Sequence, residues 1–232
     1  MKQNNRAALI GLDGSGKSTN LEQMKQDEDF SGFVFAWMRW KPVLLAPFYR
    51  ILNKKIAAGS SKTENTVFPE NEKEEREALH GEFRKKKQLK KIIFRSRLVR
   101  SVWTLLAGID YFIAFYARVG TALVRKKNIV FDRYYFDLYI DLGVNFGYSP
   151  EQILRSIRRR RFWYPSLRRV IYIRVRPEIC YARKTDISSM EYLNKRYAVY
   201  ELLSKEQNWL TVDGEQPLET VYAAVRTAAL NL

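Results

Sequence analysis

GLDGSGKST, residues 11–19, lies between a short apolar segment, residues 7–10, and a segment of helical pattern that starts at Lys17. The nine residues fit the spacing G-x-x-x-x-G-K-[ST], and a strand before them and a helix after them are the setting that this motif requires. Its glycines allow successive backbone N–H groups to face inward, and the helix N-terminus adds the positive end of a dipole. The stretch therefore predicts a phosphate-binding loop (P-loop) in an α/β fold.

Each polar group of such a loop has a predicted place around ATP. Lys17 is expected to reach the β and γ phosphates, and the Ser18 hydroxyl is expected to bind Mg²⁺. We predict that the whole loop binds ATP: Gly11, Leu12, Asp13, Gly14, Ser15, Gly16, Lys17, Ser18 and Thr19. The motif indicates a nucleoside triphosphate, but it does not name the acceptor.

Four further apolar segments, residues 33–38, 128–132, 169–175 and 208–212, read as strands separated by helical patterns. Strands that alternate with helices predict right-handed crossovers and a parallel sheet. Residues 41–100 differ, because an amphipathic segment, a polar segment and a basic helical pattern follow one another there. We predict a single domain over residues 1–232, with a basic, partly mobile helical insertion at about 41–100.

The chain carries a net charge of +16, and its lysines and arginines form runs such as Arg84–Lys87 and Arg158–Arg161. Such a field favours anionic partners, namely nucleotides, nucleic acid or an acidic membrane. A solvated basic face explains the same runs equally well, since a run in the sequence is not yet a contiguous patch.

Cysteine and histidine are nearly absent, with only Cys180 and His80 in the chain. This composition excludes an internal disulfide framework and a zinc site of clustered Cys and His ligands. Residues 101–124 are the most hydrophobic stretch, but Asp110 and Arg118 interrupt it, and we predict a buried helix in place of a membrane span. The strand pattern begins close to the N-terminus without a signal-peptide pattern, so we expect a cytoplasmic protein.

Two further stretches carry a resemblance to a known family. FDRYYFD, residues 131–137, places Asp132 and Arg133 directly after the third predicted strand, and RPEICYARK, residues 176–184, follows the fourth. Together with the loop at residues 11–19, these stretches resemble the thymidylate kinase family of nucleoside monophosphate kinases. The resemblance covers residues 6–40 and about 105–230, and leaves out most of the predicted insertion.

The resemblance implies a P-loop kinase fold, with a five-stranded parallel sheet in the order 2-3-1-4-5, flanking helices, and a helical insertion between strands 2 and 3. It implies a transferase of nucleotide biosynthesis that moves the γ-phosphoryl group of ATP to dTMP, with Mg²⁺ as a cofactor. It also implies a nucleotide substrate as partner, a homodimer, and a lid at about residues 183–190.

Site roles also follow from the resemblance. Asp13 would hold an acceptor hydroxyl, Asp132 would lie beside Mg²⁺ and the acceptor phosphate, and Arg133 would clamp that phosphate. Arg183, with Lys184 beside it, would close over the donor phosphates and offset charge in the transition state. Asp213 would lie near the adenine.

Arg39, in WMRWKP at the end of the second predicted strand, carries an inference about the acceptor. Deoxynucleoside kinases of related fold have at this place a glutamate that deprotonates a hydroxyl. A phosphate acceptor is already ionised near neutral pH and needs positive groups instead. Arg39 therefore favours a phosphorylated acceptor, although a surface cation stacked on Trp37 or Trp40 is the alternative.

The helix before residue 132 departs from the family pattern. Thymidylate kinases carry there an Asp/Asn-Arg pair and a nearby Gln that recognise the thymidine nucleotide. Here Asp110 keeps the acid, Tyr111 stands in place of the arginine, and Ile113 in place of the glutamine. Thymine recognition does not follow from these residues, and Tyr111 is a candidate for acceptor binding by aromatic contact or a core residue.

Asp137 and Asp141 lie four residues apart on the helix after FDRYYFD, where they either complement the helix dipole or line the acceptor pocket. Three functions thus remain open for the chain. The first is a nucleoside monophosphate kinase, and the second is a kinase of another phosphorylated, sugar or lipid-linked acceptor. The third is an NTP-binding protein that acts on nucleic acid or on an acidic membrane.

Overall fold

The computed structural model describes residues 5–47, 94–184 and 189–230. The chain divides into two compact units. The sheet unit comprises Met1–Trp40 and Tyr111–Leu232, and the insertion unit comprises Lys41–Asp110. The predicted insertion at 41–100 falls within the second unit, but most of it lies outside the described residues, as do residues 185–188 of the predicted lid.

Five parallel strands form the centre of the sheet unit: β1 (Arg6–Ile10), β2 (Val34–Trp37), β3 (Ile129–Asp132), β4 (Arg169–Arg174) and β5 (Leu210–Asp213). Their order is β2-β3-β1-β4-β5, which confirms the predicted fold class and strand order. Leu9 and Trp37 are both in register with Asp132, so three strands end near one point of the sheet. Parallel strands bind ligands at their carboxyl ends, and this edge is therefore where a site is expected.

Seven helices are described: α1 (Lys17–Gln26), α2 (Arg97–Val124), α3 (Tyr135–Phe146), α4 (Pro150–Arg160), α5 (Pro177–Arg183), α6 (Met190–Glu206) and α7 (Leu218–Leu230). The start of α4 shows how the sequence fixes a helix end. Ser149 accepts a hydrogen bond from the Gln152 amide, the Gln152 side chain accepts one from the Ser149 amide, and Pro150 occupies the first turn.

The sheet unit buries its apolar strand residues almost completely. Leu9, Ile129, Phe131, Ile171 and Ile173 are inaccessible to solvent. Because both faces of a parallel sheet are covered by crossover helices, such strands are apolar throughout and do not alternate with polar residues. Polar side chains that could form a site therefore lie at the strand ends, where the loops after β1 and β3 begin.

Helix α2 is apolar on two faces. By length and composition it could cross a membrane, and 39% of its most apolar window is buried. In the sheet unit Tyr111, Phe115 and Val119 are buried, and the Phe115 ring stacks on Phe131 with 5.7 Å between ring centroids. Phe112, on the other face, is exposed. The predicted burial of this helix therefore holds along one face.

The insertion unit is described at its two ends. The Asp110 carboxylate accepts hydrogen bonds from the backbone amides of Val43 and Leu44, at 3.1 and 2.5 Å from Oδ1. Asp110 is 1% exposed, so these amides satisfy a buried charge. The Phe94 and Trp103 rings pack edge to face at 5.6 Å.

Gly143 marks the tightest approach of α3 to α4. A Cβ at this position would lie 2.3 Å from Ile153 Cγ1, and Ile153 is buried. We expect Gly143→Ala to lower the free energy of unfolding by about 1–3 kcal/mol, because the two helices must move apart. Chemical denaturation of the two proteins measures this change.

Gly120→Ala is the matched control, since a Cβ at Gly120 of α2 would meet no atom of the described residues within 4 Å. Alanine is the better helix former by up to about 1 kcal/mol, so this variant should be unchanged or more stable. An equal loss of stability in both variants would contradict the packing of α3 on α4.

Candidate active site

The loop between β1 and α1 adopts a conformation that only glycine takes without strain. Gly14 and Gly16 both have φ of 89°, in the left-handed region. A Cβ at Gly14 would also lie 2.7 Å from the Cys180 carbonyl oxygen, so the loop lies closely against α5. Gly14 and Gly16 are therefore required by the turn, and Gly14 also by the packing.

Lys17 is folded into this loop. Its Nζ donates to the carbonyl oxygens of Gly11 and Leu12, at 3.0 and 2.5 Å, and to Ser15 Oγ at 3.1 Å. Burial, and after it the charge of Arg133, lower the pKa of Lys17 to about 7. The phosphates of a nucleotide would add negative charge beside this buried amine and favour its protonated form.

The residues of the loop fit a magnesium nucleotide. Because α1 begins at Lys17, the amides of Lys17, Ser18 and Thr19 precede the first helical hydrogen bonds and can face an anion. Ser18 and Asp132 line the same cleft. Burial raises the pKa of the Asp132 carboxyl, and a bound cation would lower that pKa. Two protein oxygens suit Mg²⁺, which keeps water and phosphate oxygens as its other ligands.

A cleft of about 540 Å³ opens over this loop at the carboxyl edge of the sheet. It brings together most of the residues predicted from sequence: Asp13, Gly14, Ser15, Gly16, Lys17, Ser18, Thr19, Arg39, Asp132, Arg133, Arg183 and Lys184. Trp37, Gly214, Gln216 and Leu218 also line it. All of these residues belong to the sheet unit.

Positive charge dominates the wall of the cleft. Among its lining residues, five are cationic and two are carboxylates. The cations are Lys17, Arg39, Arg133, Arg183 and Lys184, and the carboxylates are Asp13 and Asp132. A concave site with this excess attracts polyanions and strengthens their binding where water is excluded.

Arg133 sits at the junction of β3 and α3. It is 7% exposed, has φ of 69°, and pairs with Asp13 and with Asp137, the latter at 3.3 Å. A guanidinium has five N–H donors, so these two pairs leave donors for a phosphate in the cleft. The left-handed backbone is unusual for a residue other than glycine and is typical of functional sites.

Asp13 is held ionised by two arginines. It accepts hydrogen bonds from Arg133 at Oδ1 and from Arg196 at Oδ2, the second at 3.3 Å. Burial opposes ionisation, but Arg133 and then Arg196 outweigh it and hold the pKa of the Asp13 carboxyl well below its usual range. The P-loop carboxylate is thus part of a buried ion-pair network.

The remaining predicted residues do not line the cleft: Gly11, Leu12, Tyr111, Asp137 and Asp213. The Tyr111 hydroxyl donates to the Met38 carbonyl at 3.1 Å, and its ring is buried against Phe115 and Tyr164. This side chain therefore belongs to the core, which was the other alternative for it. Gly11 and Leu12 form the floor of the loop and accept from Lys17.

Asp137 and Asp213 accept hydrogen bonds from other side chains of the protein. Asp137, 4% exposed, accepts from Arg133, Arg196 and Tyr200 in place of lining an acceptor pocket. Asp213 is exposed and accepts from the Gln216 side chain at 2.9 Å, so it orients a residue that does line the cleft.

Arg196, which was not predicted from the sequence, is 1% exposed and contacts Asp13, Asp137 and Asp141. The sequence contains an indication of its burial, because Arg196 lies between Leu193 and Val199 on the buried face of α6. A charged residue at a core position of a helix requires buried partners of opposite charge.

No protein-family model and no curated protein matches the sequence of the chain. Among solved structures, one of deoxyadenosine kinase from M. mycoides, with the products dCMP and dCDP bound, is similar with a TM-score of 0.52. It is 18% identical in sequence and matches 98% of this chain and 100% of its own length. A dATP-bound structure of that kinase has a TM-score of 0.49 at 17% identity, with the same coverage. The likeness to the first structure supports the P-loop kinase fold.

The lowered pKa of Lys17 predicts proton uptake when ATP binds. At pH 8 an amine with a pKa of about 7 is mostly neutral in the free protein, and the phosphates favour its protonated form. We expect binding at pH 8 to take up close to one proton, and uptake by Lys17 to vanish near pH 6, where the amine is already charged. Calorimetry in two buffers of different ionisation enthalpy measures the uptake.

Lys184→Met should retain this uptake, because Lys184 lines the same cleft but lies outside the loop. Lys17→Met should lose it, and this variant also corrects for protons released by ATP itself. Equal proton counts for Lys17→Met and the wild type at pH 8 would show that Lys17 is charged before ATP binds.

Proposed function

We propose that this protein transfers the γ-phosphoryl group of ATP to a nucleoside monophosphate. One observation carries the proposal, namely a cleft that combines a P-loop with four further cations, Arg39, Arg133, Arg183 and Lys184, at the carboxyl edge of a parallel sheet. Two phosphorylated substrates bring several negative charges to one place. Positive groups fixed before binding stabilise such charge without reorganising.

We assign the binding of ATP, the phosphoryl donor, to the P-loop and α5. The amides at the start of α1 and the Lys17 amine would hold the β and γ phosphates. Arg183 ends α5, and its Nη1 donates to the Gly214 carbonyl oxygen in the loop after β5, at 3.4 Å. Mg²⁺, held by Ser18 and Asp132, would neutralise charge on the transferred group.

We assign the binding of the acceptor to Arg39, Arg133 and Asp13. Arg133 would donate to the acceptor phosphate with its free N–H groups, and Asp13 would accept from an acceptor hydroxyl. Arg39 is exposed on the wall of the cleft and adds positive charge near Asp13. A phosphate oxygen is a nucleophile without prior deprotonation, so positioning and charge neutralisation suffice for transfer.

Nucleotides are supported as ligands by the dCMP and dCDP bound in the M. mycoides structure. That protein is a deoxyadenosine kinase, and the acceptor proposed here differs because of Arg39. Thymidylate is the acceptor that the sequence resemblance names, and we propose dTMP as the first to test.

A second candidate is a kinase of another phosphorylated metabolite. It is favoured by the two residues at the base-recognition positions. Asp110 is bound to the amides of Val43 and Leu44, and the Tyr111 hydroxyl is bound to Met38. Neither side chain offers the pattern that reads thymine in the similar family, so the test must include other acceptors.

An acceptor panel separates these functions. We expect ADP release with at least one of dTMP, dCMP, dAMP, dGMP and UMP, and at least about tenfold lower kcat/KM with the matching unphosphorylated nucleoside. Lys17→Ala should lower kcat by about 100-fold or more, while circular dichroism shows a folded protein. Turnover of nucleosides alone would reject a phosphorylated acceptor, and turnover of sugar phosphates alone would favour the second candidate.

Arg39→Ala tests the acceptor role of the cation. We expect the acceptor KM to rise by about 10–100-fold, since one charge-assisted hydrogen bond is lost, while the ATP KM changes little. Arg155→Ala, on the exposed face of α4, is the control for a general change in charge. If Arg39→Ala left the acceptor KM unchanged, the residue would be a surface cation.

A further inference from the structure

Arg196 is a buried cation that the proposed chemistry does not use. It lies on α6, it is 1% exposed, and it is absent from the residues that line the cleft. Burying a guanidinium is costly unless carboxylates pair with it. The packing of α6 therefore does not by itself explain why an arginine is buried at this position.

Three carboxylates surround its guanidinium. Nη1 lies 3.3 Å from Asp13 Oδ2 and 3.0 Å from Asp141 Oδ1, and Nη2 lies 3.2 Å from Asp137 Oδ1. Asp13 belongs to the P-loop, and the other two belong to α3. Arg196 thus connects three segments of the sheet unit through charge.

Two tyrosines complete the surroundings of Arg196. Nη1 donates to the Tyr192 hydroxyl at 3.2 Å, and Nη2 donates to the Tyr200 hydroxyl at 3.0 Å. Tyr200 in turn donates to Asp137 Oδ1. These contacts lock the guanidinium in place, because they occupy both of its terminal nitrogens.

Arg133 shares two of these carboxylates. Arg133 pairs with Oδ1 of Asp13 while Arg196 pairs with Oδ2, and both arginines donate to Oδ1 of Asp137, at 3.3 and 3.2 Å. Asp13 and Asp137 therefore each have two guanidinium partners. Of these partners, Arg133 faces the cleft and Arg196 does not.

The second guanidinium partner of each carboxylate affects how an anion binds in the cleft. A phosphate that draws Arg133 toward itself weakens its pairs with Asp13 and Asp137. A buried carboxylate left without a cation is strongly unfavourable, so with Arg133 alone the phosphate would have to overcome that cost. With Arg196 present, both carboxylates keep a partner.

We propose that Arg196 is a positioning residue that keeps Asp13 and Asp137 paired and thereby leaves Arg133 available to the phosphate of the acceptor. This role rests on the proposed function, in which Arg133 binds that phosphate. It assigns to α6, the helix that follows the predicted lid, an influence on acceptor binding that does not involve contact with the acceptor.

The test uses inorganic phosphate as the probe, with the P-loop filled by a non-hydrolysable ATP analogue. We expect Arg196→Met to bind phosphate about tenfold or more weakly than the wild type, because Arg133 then serves both carboxylates. Affinity for the analogue should remain within about threefold, since Arg196 does not line the cleft. In turnover, the acceptor KM should rise while the ATP KM does not.

A compensating variant distinguishes positioning from a purely structural role. Arg196→Met/Asp137→Asn removes one of the two carboxylates that would otherwise depend on Arg133 alone, so phosphate affinity should return toward the wild-type value. Arg196→Lys keeps the charge without the planar fork, and its phosphate affinity should be intermediate. Should Arg196→Met fail to fold, these two variants give the same comparison.

Arg158→Met is the matched control, because Arg158 is an exposed arginine that pairs with Glu206 on the surface. It should bind phosphate and analogue as the wild type does. Unchanged phosphate affinity in Arg196→Met would overturn the proposal, as would equal losses for phosphate and analogue or an absence of rescue in the double variant.

The same measurements test the proposed function separately from the role of Arg196. A wild type that binds phosphate in the presence of the analogue, but transfers to no monophosphate, rejects the proposed acceptor class and leaves the role of Arg196 supported or rejected by the binding data. A wild type that binds no phosphate under these conditions rejects the role of Arg196.

Discussion

The buried ion pair between Asp13 and Arg133 joins the two loops on which the cleft depends. Asp13 belongs to the loop after β1, Arg133 follows β3, and the two strands are adjacent and in register from Arg6 to Leu9. Neither residue would be stable at this depth alone, since each unpaired charge would pay the full cost of desolvation. The pair therefore fixes the distance between the donor loop and the loop that is proposed to bind the acceptor.

This constraint also explains the balance of charge around the cleft. Asp137 and Asp141 lie outside the lining of the cleft and pair with Arg196. Arg39, Arg183 and Lys184 belong to the lining. The network is neutralised where water is excluded, and the positive excess lies where an anion can reach it. A site arranged in this way attracts phosphates without storing unpaired charge in the core.

The sequence was sufficient for the fold and for the conformation of the P-loop because both depend on local rules. The spacing of Gly11, Gly16 and Lys17 fixes a loop whose conformation is set by φ and by the start of a helix. Strands and helices alternate with clear hydrophobic patterns, and the order of the parallel sheet was predicted correctly with the help of the family resemblance. No distant residue is needed to recognise these features.

The ion-pair network around the proposed acceptor site could not be predicted to the same extent, because its residues pair across long distances in the sequence. Arg196 is 183 positions from Asp13, and only the three-dimensional structure shows that they share a network. Asp110 is a similar case: its place in the sequence matches a base-recognition residue, yet its carboxylate accepts from amides 66 and 67 residues earlier. A motif position defines a residue type, whereas its role depends on which partners reach it.

Arg133 shows how the fold supports a conformation that its own residue type disfavours. β3 ends at Asp132 and α3 begins at Tyr135, so the chain must turn within two residues. It does so through the left-handed backbone of Arg133, at a cost on the order of 1–3 kcal/mol, since its side chain has a Cβ. Glycine would remove the strain, but it would also leave Asp13 and Asp137 with one buried partner fewer. An arginine in a strained turn is therefore the arrangement expected if its guanidinium is needed at this point of the cleft.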